Sequence, residues 1–162
     1  MATSNAATTY LEHRILNFIF KNNAQVSSAN FGSGNGNGLG NNLYVGLATA
    51  VSNFNDSTGE SGTPSVTEAT YTNYTRKQVT AANWTLDSAT ENEQQAKNSA
   101  NIEWSASGTD GTQTITHVFV NDSSSSSGDN NFLFIGALDA SKAIAEGDIF
   151  RINAENLVIE MK

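Results

Sequence analysis

The chain contains no cysteine and one proline, and Asp, Glu, Lys and Arg together make up only 15% of its 162 residues. Each shortage excludes something. Without cysteine there are no disulfides, thiol nucleophiles, thiolate zinc sites or iron–sulfur clusters. Cations are scarcest: Lys and Arg total 8 against 16 Asp and Glu, a net charge of −8. The pI near 4.5 argues against nucleic acid, because phosphate binding needs a basic patch. No apolar run approaches the ~20 residues of a membrane-spanning helix, so no membrane partner is expected. Met1 to Thr9 is polar and lacks a basic stretch followed by an apolar core, so no signal peptide is expected. At this length the expectation is a single β-rich domain over 1–162. A domain of that size buries roughly 70% of its unfolded surface and needs no staple.

What is present is uncharged polarity. The mean hydropathy is −0.36, and Asn, Ser, Thr and Gly supply it. These residues favour turns and caps over helix interiors. One helix is nonetheless expected, at about 9–21. Thr9 and Glu12 have capping-box spacing, and Leu11, Ile15, Phe18 and Ile19 form one apolar stripe. Lys21 sits in the last turn, where the dipole favours a cation. Residues 27–42 read as a flexible Gly/Asn-rich loop. Their glycines fall at alternate positions, which does not match a phosphate-binding fingerprint.

The rest reads as strands. Leu43, Val45 and Leu47 alternate, and so do Ala100, Ile102 and Trp104. Tyr71 to Thr80 and Trp84 to Leu86 are further candidates, and Ile115 to Val120 is β-branched and strong. Phe132 to Ile135 reads as a central strand buried on both faces. Ile149–Ile152 and Leu157–Met161 read as a closing hairpin. Residues 52–70 read as an acidic loop, 90–97 as a loop or one helical turn, and 140–145 as a short connector. About seven short strands without βαβ alternation give an antiparallel β-sandwich or barrel with one N-terminal amphipathic helix.

Chemistry is sparse. His13 and His117 are isolated, too few for a zinc site. No G-x-S-x-G elbow occurs. The stretch from Asn53 resembles a calcium loop but has Thr58 and Pro64 where Gly and Glu are required. The sequons at Asn73 and Asn83 read as incidental in a chain this rich in asparagine. Tyr74, Trp84 and Trp104 fall at strand positions and read as core rather than as a carbohydrate platform. No catalytic, cofactor-binding or metal-binding residue is assigned, and no enzyme is expected.

The order of segments resembles a family of small structural proteins of tailed bacteriophages. The resemblance rests on Tyr10-Leu11-Glu12 with Leu16 and Phe18, on Leu43-Tyr44-Val45-Gly46-Leu47-Ala48-Thr49-Ala50, and on Tyr74-Thr75-Arg76-Lys77-Gln78-Val79. It continues through Asn101-Ile102-Glu103-Trp104, Ile115-Thr116-His117-Val118, Leu133-Phe134-Ile135-Gly136-Ala137-Leu138, Lys142 and Gly147-Asp148-Ile149-Phe150-Arg151-Ile152. The chain departs from the pattern at 27–42, at the serine run 123–127 and at 90–99.

The resemblance implies a virion component, assembled in the host bacterial cytoplasm, and supplies no catalytic residue. The leading expectation is a capsid decoration (cement) protein that binds the outer head surface and stabilises capsomer contacts through many copies. The alternative is a tail-associated protein: fibre, baseplate or tube accessory. A host-glycan-binding module is a third class. Expected partners are the major capsid protein or other virion proteins, and further copies of the chain as a dimer or trimer. Candidate interface residues are the stripe Leu11, Ile15, Phe18 and Ile19, and the cations Arg76, Lys77 and Arg151.

Overall fold

Period-two alternation writes the longest ladders of this protein, and buried polar side chains fix how its loops return to them. The computed structural model describes residues 15–16, 19–20, 43–52, 64–87, 94–105, 108, 111–124 and 132–161. Its strands are β1 (Leu43–Ser52), β2 (Ser65–Glu68), β3 (Lys77–Val79), β4 (Trp84–Asp87), β5 (Gln94–Asn98), β6 (Ile102–Glu103), β7 (Gln113–Asn121), β8 (Phe132–Ile144), β9 (Arg151–Ile152) and β10 (Val158–Met161). The fold is mainly β, and the described strands form three sheets. One has the order β2-β1-β7-β8, with β3 also pairing β1; a second has the order β10-β5-β4; β6 and β9 form a two-stranded ladder. The chain makes two compact units, one of segments 1–43, 79–102 and 152–162, the other of 44–78 and 103–151.

In the second unit β1 and β7 run antiparallel, Val45 opposite Val120 and Leu47 opposite Val118. All four side chains are buried. The other face is covered as well. The Phe119 ring lies on Gly46, where a Cβ would come within 2.1 Å of the ring edge. Only glycine fits there, because a methyl group would displace a fully packed ring. Phe119 also meets Phe132 edge-on at 5.1 Å between centroids.

β7 and β8 shift register twice, by one residue between Val120 and Asn121 and by more between Ile115 and His117. Ile115 stands opposite Lys142, and His117 opposite Ala137. Residues 138–141 therefore bulge out opposite Thr116 alone. Thr116 donates its hydroxyl to the Thr49 carbonyl at 3.0 Å. Residues 140–144 thus belong to β8 rather than to a connector. Phe132 to Ile135 are half-buried, not buried on both faces, because β8 ends the order of its sheet.

In the first unit β5 pairs antiparallel with β4 and β10. The expected loop or helical turn at 90–97 gives way over Gln94–Asn98 to a strand. Its own sequence is polar, but neighbours on both sides satisfy its backbone, and a ladder needs no apolar side chains. Trp84 is buried, donates Nε1–H to the Val79 carbonyl at 3.2 Å and meets Phe20 at 4.5 Å. Such a ring pair contributes about 0.5–1.5 kcal/mol beyond its buried area.

Asn98 organises the return to β10. Its amide donates to the Ala100 and Asn153 carbonyls at 2.8 and 2.9 Å. Its side-chain oxygen accepts from Leu157 N–H at 2.8 Å. Its backbone carbonyl accepts from Glu155 N–H at 2.7 Å, and Glu155 takes a left-handed φ of 66°. These bonds replace the expected closing hairpin: β9 pairs with β6 and β10 with β5.

The acidic loop read over 52–70 contains β2, which follows the single proline directly. The strand read over Tyr71–Thr80 is formed only at Lys77–Val79. The expected helix over 9–21 is not supported as an element, and most of it lies outside the described residues. Ile15, Leu16, Ile19 and Phe20 have helical backbone, but Leu16 and Phe20 are the buried pair, with Ile15 and Ile19 half-buried. The ring contact with Trp84 orients that short stretch. The loop at 27–42 also lies outside the described residues.

Candidate functional site

Arg76 is one of the three cations expected to meet an acidic neighbour. It is instead 7% exposed and bound to Glu68 at the end of β2. Nε donates to Glu68 Oε1 and Nη2 to Oε2, both at 2.8 Å. This is the parallel two-bond arrangement that a planar guanidinium makes with a carboxylate. Nη1 donates to the Ser123 carbonyl at 3.0 Å, and the guanidinium carbon lies 5.1 Å from the centre of the Phe119 ring. The cation is consumed within the fold, so it does not serve as a free charge for an acidic neighbour.

Tyr74 completes the cluster. Its hydroxyl donates to Glu68 Oε1 at 2.7 Å and accepts from Leu47 N–H at 2.9 Å. Burial, the hydrogen bond to Glu68 and that carboxylate's charge hold the phenol's pKa well above its ordinary value, against the lowering effects of Leu47 N–H and Arg76. Tyr71 packs edge-on against Tyr74 at 5.4 Å. Burial alone pushes its phenol from 10.0 to about 12, and its hydroxyl has no partner among the described residues.

Between the two tyrosines the chain turns. Tyr74 N–H donates to the Tyr71 carbonyl at 2.9 Å, and Asn73 takes a left-handed φ of 72°. Asparagine tolerates this conformation better than most residues. Gly108 backs the turn: a Cβ there would meet Thr72 Cβ at 2.8 Å. Gln113 braces the approach by accepting from Thr70 N–H at 3.0 Å and donating to its hydroxyl at 2.9 Å.

These pieces line an open recess of about 640 Å³. Glu68, Ala69, Tyr71, Tyr74 and Arg76 form its floor, and the exposed Thr67, Thr70, Thr75 and Ser124 form its rim. The volume lies within the usual ~300–1,000 Å³ of ligand sites. The charges are spent on each other, so the surface offers hydroxyls and ring edges.

The other expected site residues are scattered. Lys77 begins β3 and is half-buried; Ile15 and Ile19 are half-buried; Leu11 and Phe18 lie outside the described residues. Arg151 pairs on the surface with Glu103 at 2.6 Å, their side chains 50% and 44% exposed. Trp84 and Trp104 are buried, as expected for core, while Tyr74 faces the recess. His117 is half-buried, 2.8 Å from the Thr116 hydroxyl. Sequence reasoning missed Glu68 because it fell in a stretch read as loop. The available signal was Tyr74-x-Arg76, two polar side chains on one face of an extended segment in a chain with few cations.

The profile of the family described as podophage GP4 fiber I protein gp80 matches residues 6–160. No curated protein matches the chain. The family match spans β1 to β9, all but the last residue of β10 and both tyrosines of the recess, and agrees with the resemblance read from the residues. The chain belongs to the podophage GP4 fiber I protein family, a family of small tailed-phage virion structural proteins.

Proposed function

We propose that this chain is a tail-associated structural protein of the virion, a fibre component, acting by binding rather than by catalysis. The observation that carries the reading is the family match over 6–160, because the family's own description is that of a fibre protein. It favours the tail alternative over capsid decoration, for which nothing here gives support. The fold is compatible with such a role. Short strands braced by buried polar clusters give each unit a firm frame that orders little on binding. Its partners in this reading are neighbouring virion proteins and further copies of the chain. Multiple copies raise avidity without demanding a large contact from each.

Immunogold labelling of intact virions, with an antibody raised against the chain, tests the placement. Label at the tail is expected. Label spread over the head would overturn the proposal and restore the decoration reading.

A further inference from the structure

The recess beside Arg76 has no assigned role, and its chemistry points to one kind of occupant. An anion would need a free cation, but every nitrogen of Arg76 donates to Glu68 or Ser123. A cation would need a free carboxylate, but Glu68 receives Arg76 on both oxygens and Tyr74 on one. The rim is hydroxylic instead, and hydroxyls both donate and accept. Thr70 Oγ1 accepts from Gln113, which leaves its own proton to donate. Among the described residues no hydrogen bond engages the hydroxyls of Thr75 and Ser124. The floor adds the half-buried Tyr74, whose ring offers apolar surface to the C–H face of a ligand, while Tyr71 is buried and packed against it.

We propose that this recess binds a neutral saccharide, held by Thr70, Thr75 and Ser124 at the rim and by Tyr74 at the floor. The site is preorganised: Gln113 fixes Thr70, Gly108 lets Thr72 approach, and the ion pair locks the floor. Preorganisation lowers the ordering cost that otherwise consumes weak affinities. The inference does not depend on where in the virion the chain sits.

The test is a backbone amide NMR titration of the full chain. Glucose, galactose, mannose, rhamnose and maltotriose are added separately to roughly millimolar concentration, the range of a weak single-site affinity. The expected result is saturable shifts at Thr67, Thr70, Thr75 and Ser124 with at least one sugar. The double variant Thr75→Val/Ser124→Ala weakens that binding roughly tenfold, the loss of one or two hydrogen bonds, and Ser65→Ala, outside the recess, leaves it unchanged. Four results would overturn the proposal: no shifts with any sugar, shifts elsewhere on the chain, equal shifts with glycerol, or shifts only with an acidic sugar such as galacturonate. Should the double variant not fold, the wild-type shift map still decides between these results.

Discussion

The two units solve one problem with different chemistry. Each must bring a loop back onto a strand, and each does so with a buried polar side chain. In the unit of segments 79–102 and 152–162 it is Asn98, a neutral amide whose donors and acceptor are all engaged. In the unit of 44–78 and 103–151 it is the ion pair Arg76–Glu68 with Tyr74 attached. The second unit also holds the buried side-chain atoms without a partner among the described residues, on Tyr71, Trp104 and Asn121. A satisfied amide stabilises a fold without regard to pH or salt. A buried charged cluster fixes geometry at greater cost, since breaking it strands a charge. The unit with the expensive cluster and the unsatisfied atoms is also the one with the recess. Binding surfaces in other proteins carry the same mark, because sites are kept for function rather than for stability.

The largest effect expected is from breaking the ion pair on one side. Arg76→Met leaves Glu68 without its cation and the Ser123 carbonyl without its donor. It is expected to cost about 3–5 kcal/mol in equilibrium urea unfolding. The double variant Arg76→Met/Glu68→Leu removes both charges and is expected to recover most of that loss. No recovery would mean that the pair contributes net stability as well as shape.

Asn98→Ala comes next, at about 2–3 kcal/mol, because Leu157 N–H and two carbonyls lose their partner. Its cost should be the same at pH 6 and pH 10, which sharpens the contrast. A pH-dependent cost would show that the amide is coupled to a titrating group.

Alkali separates the units further. A phenol whose pKa is raised in the folded state keeps its proton while the unfolded chain has lost it. The contribution is whole below pH 10, the ordinary tyrosine value, and is lost as pH rises from there toward the folded value. Thermal or urea unfolding above pH 10 should lose roughly 1.4 kcal/mol per pH unit through Tyr74, with Tyr71 acting in the same direction up to about 12. Tyr74→Phe should flatten that slope while lowering stability near neutrality. Tyr71→Phe should be neutral or stabilising by up to about 1 kcal/mol, since it deletes an unpaired buried hydroxyl.

The smallest effect belongs to the surface. Arg151→Ala should change stability by less than about 1 kcal/mol, because its partner Glu103 is solvated. A larger loss would mean that the pair helps hold the β6–β9 ladder.

The parts legible in the sequence were those where burial and period agree. Leu43, Val45 and Leu47 alternate because one sheet face needs them, and Ile115 to Val120 is β-branched for the same reason. Gln94–Asn98 was not legible: its strand is imposed by neighbours distant in the chain, and its residues lack any apolar signature. Arg76 was visible as a rare cation but read as available, because the sequence does not show that Glu68, eight residues earlier, folds back on it. Leu16 was seen only as part of the family resemblance. Phe20, buried beside it, meets Trp84, a contact that no local period reveals. The recess is illegible for the same reason: its rim hydroxyls look like ordinary turn residues until the Asn73 turn and β2 set them around one floor.

The four residues that swell from β8 opposite Thr116 have a consequence for molecules meeting their own kind. A strand of thirteen residues at the end of a sheet is a template on which another chain can lay its backbone. The swelling divides that template into two short runs out of step with each other. A second copy can match one run or the other, never both in a single extended pass. Open-ended zippering, the route from crowding to fibrils, therefore loses its alignment at the first addition.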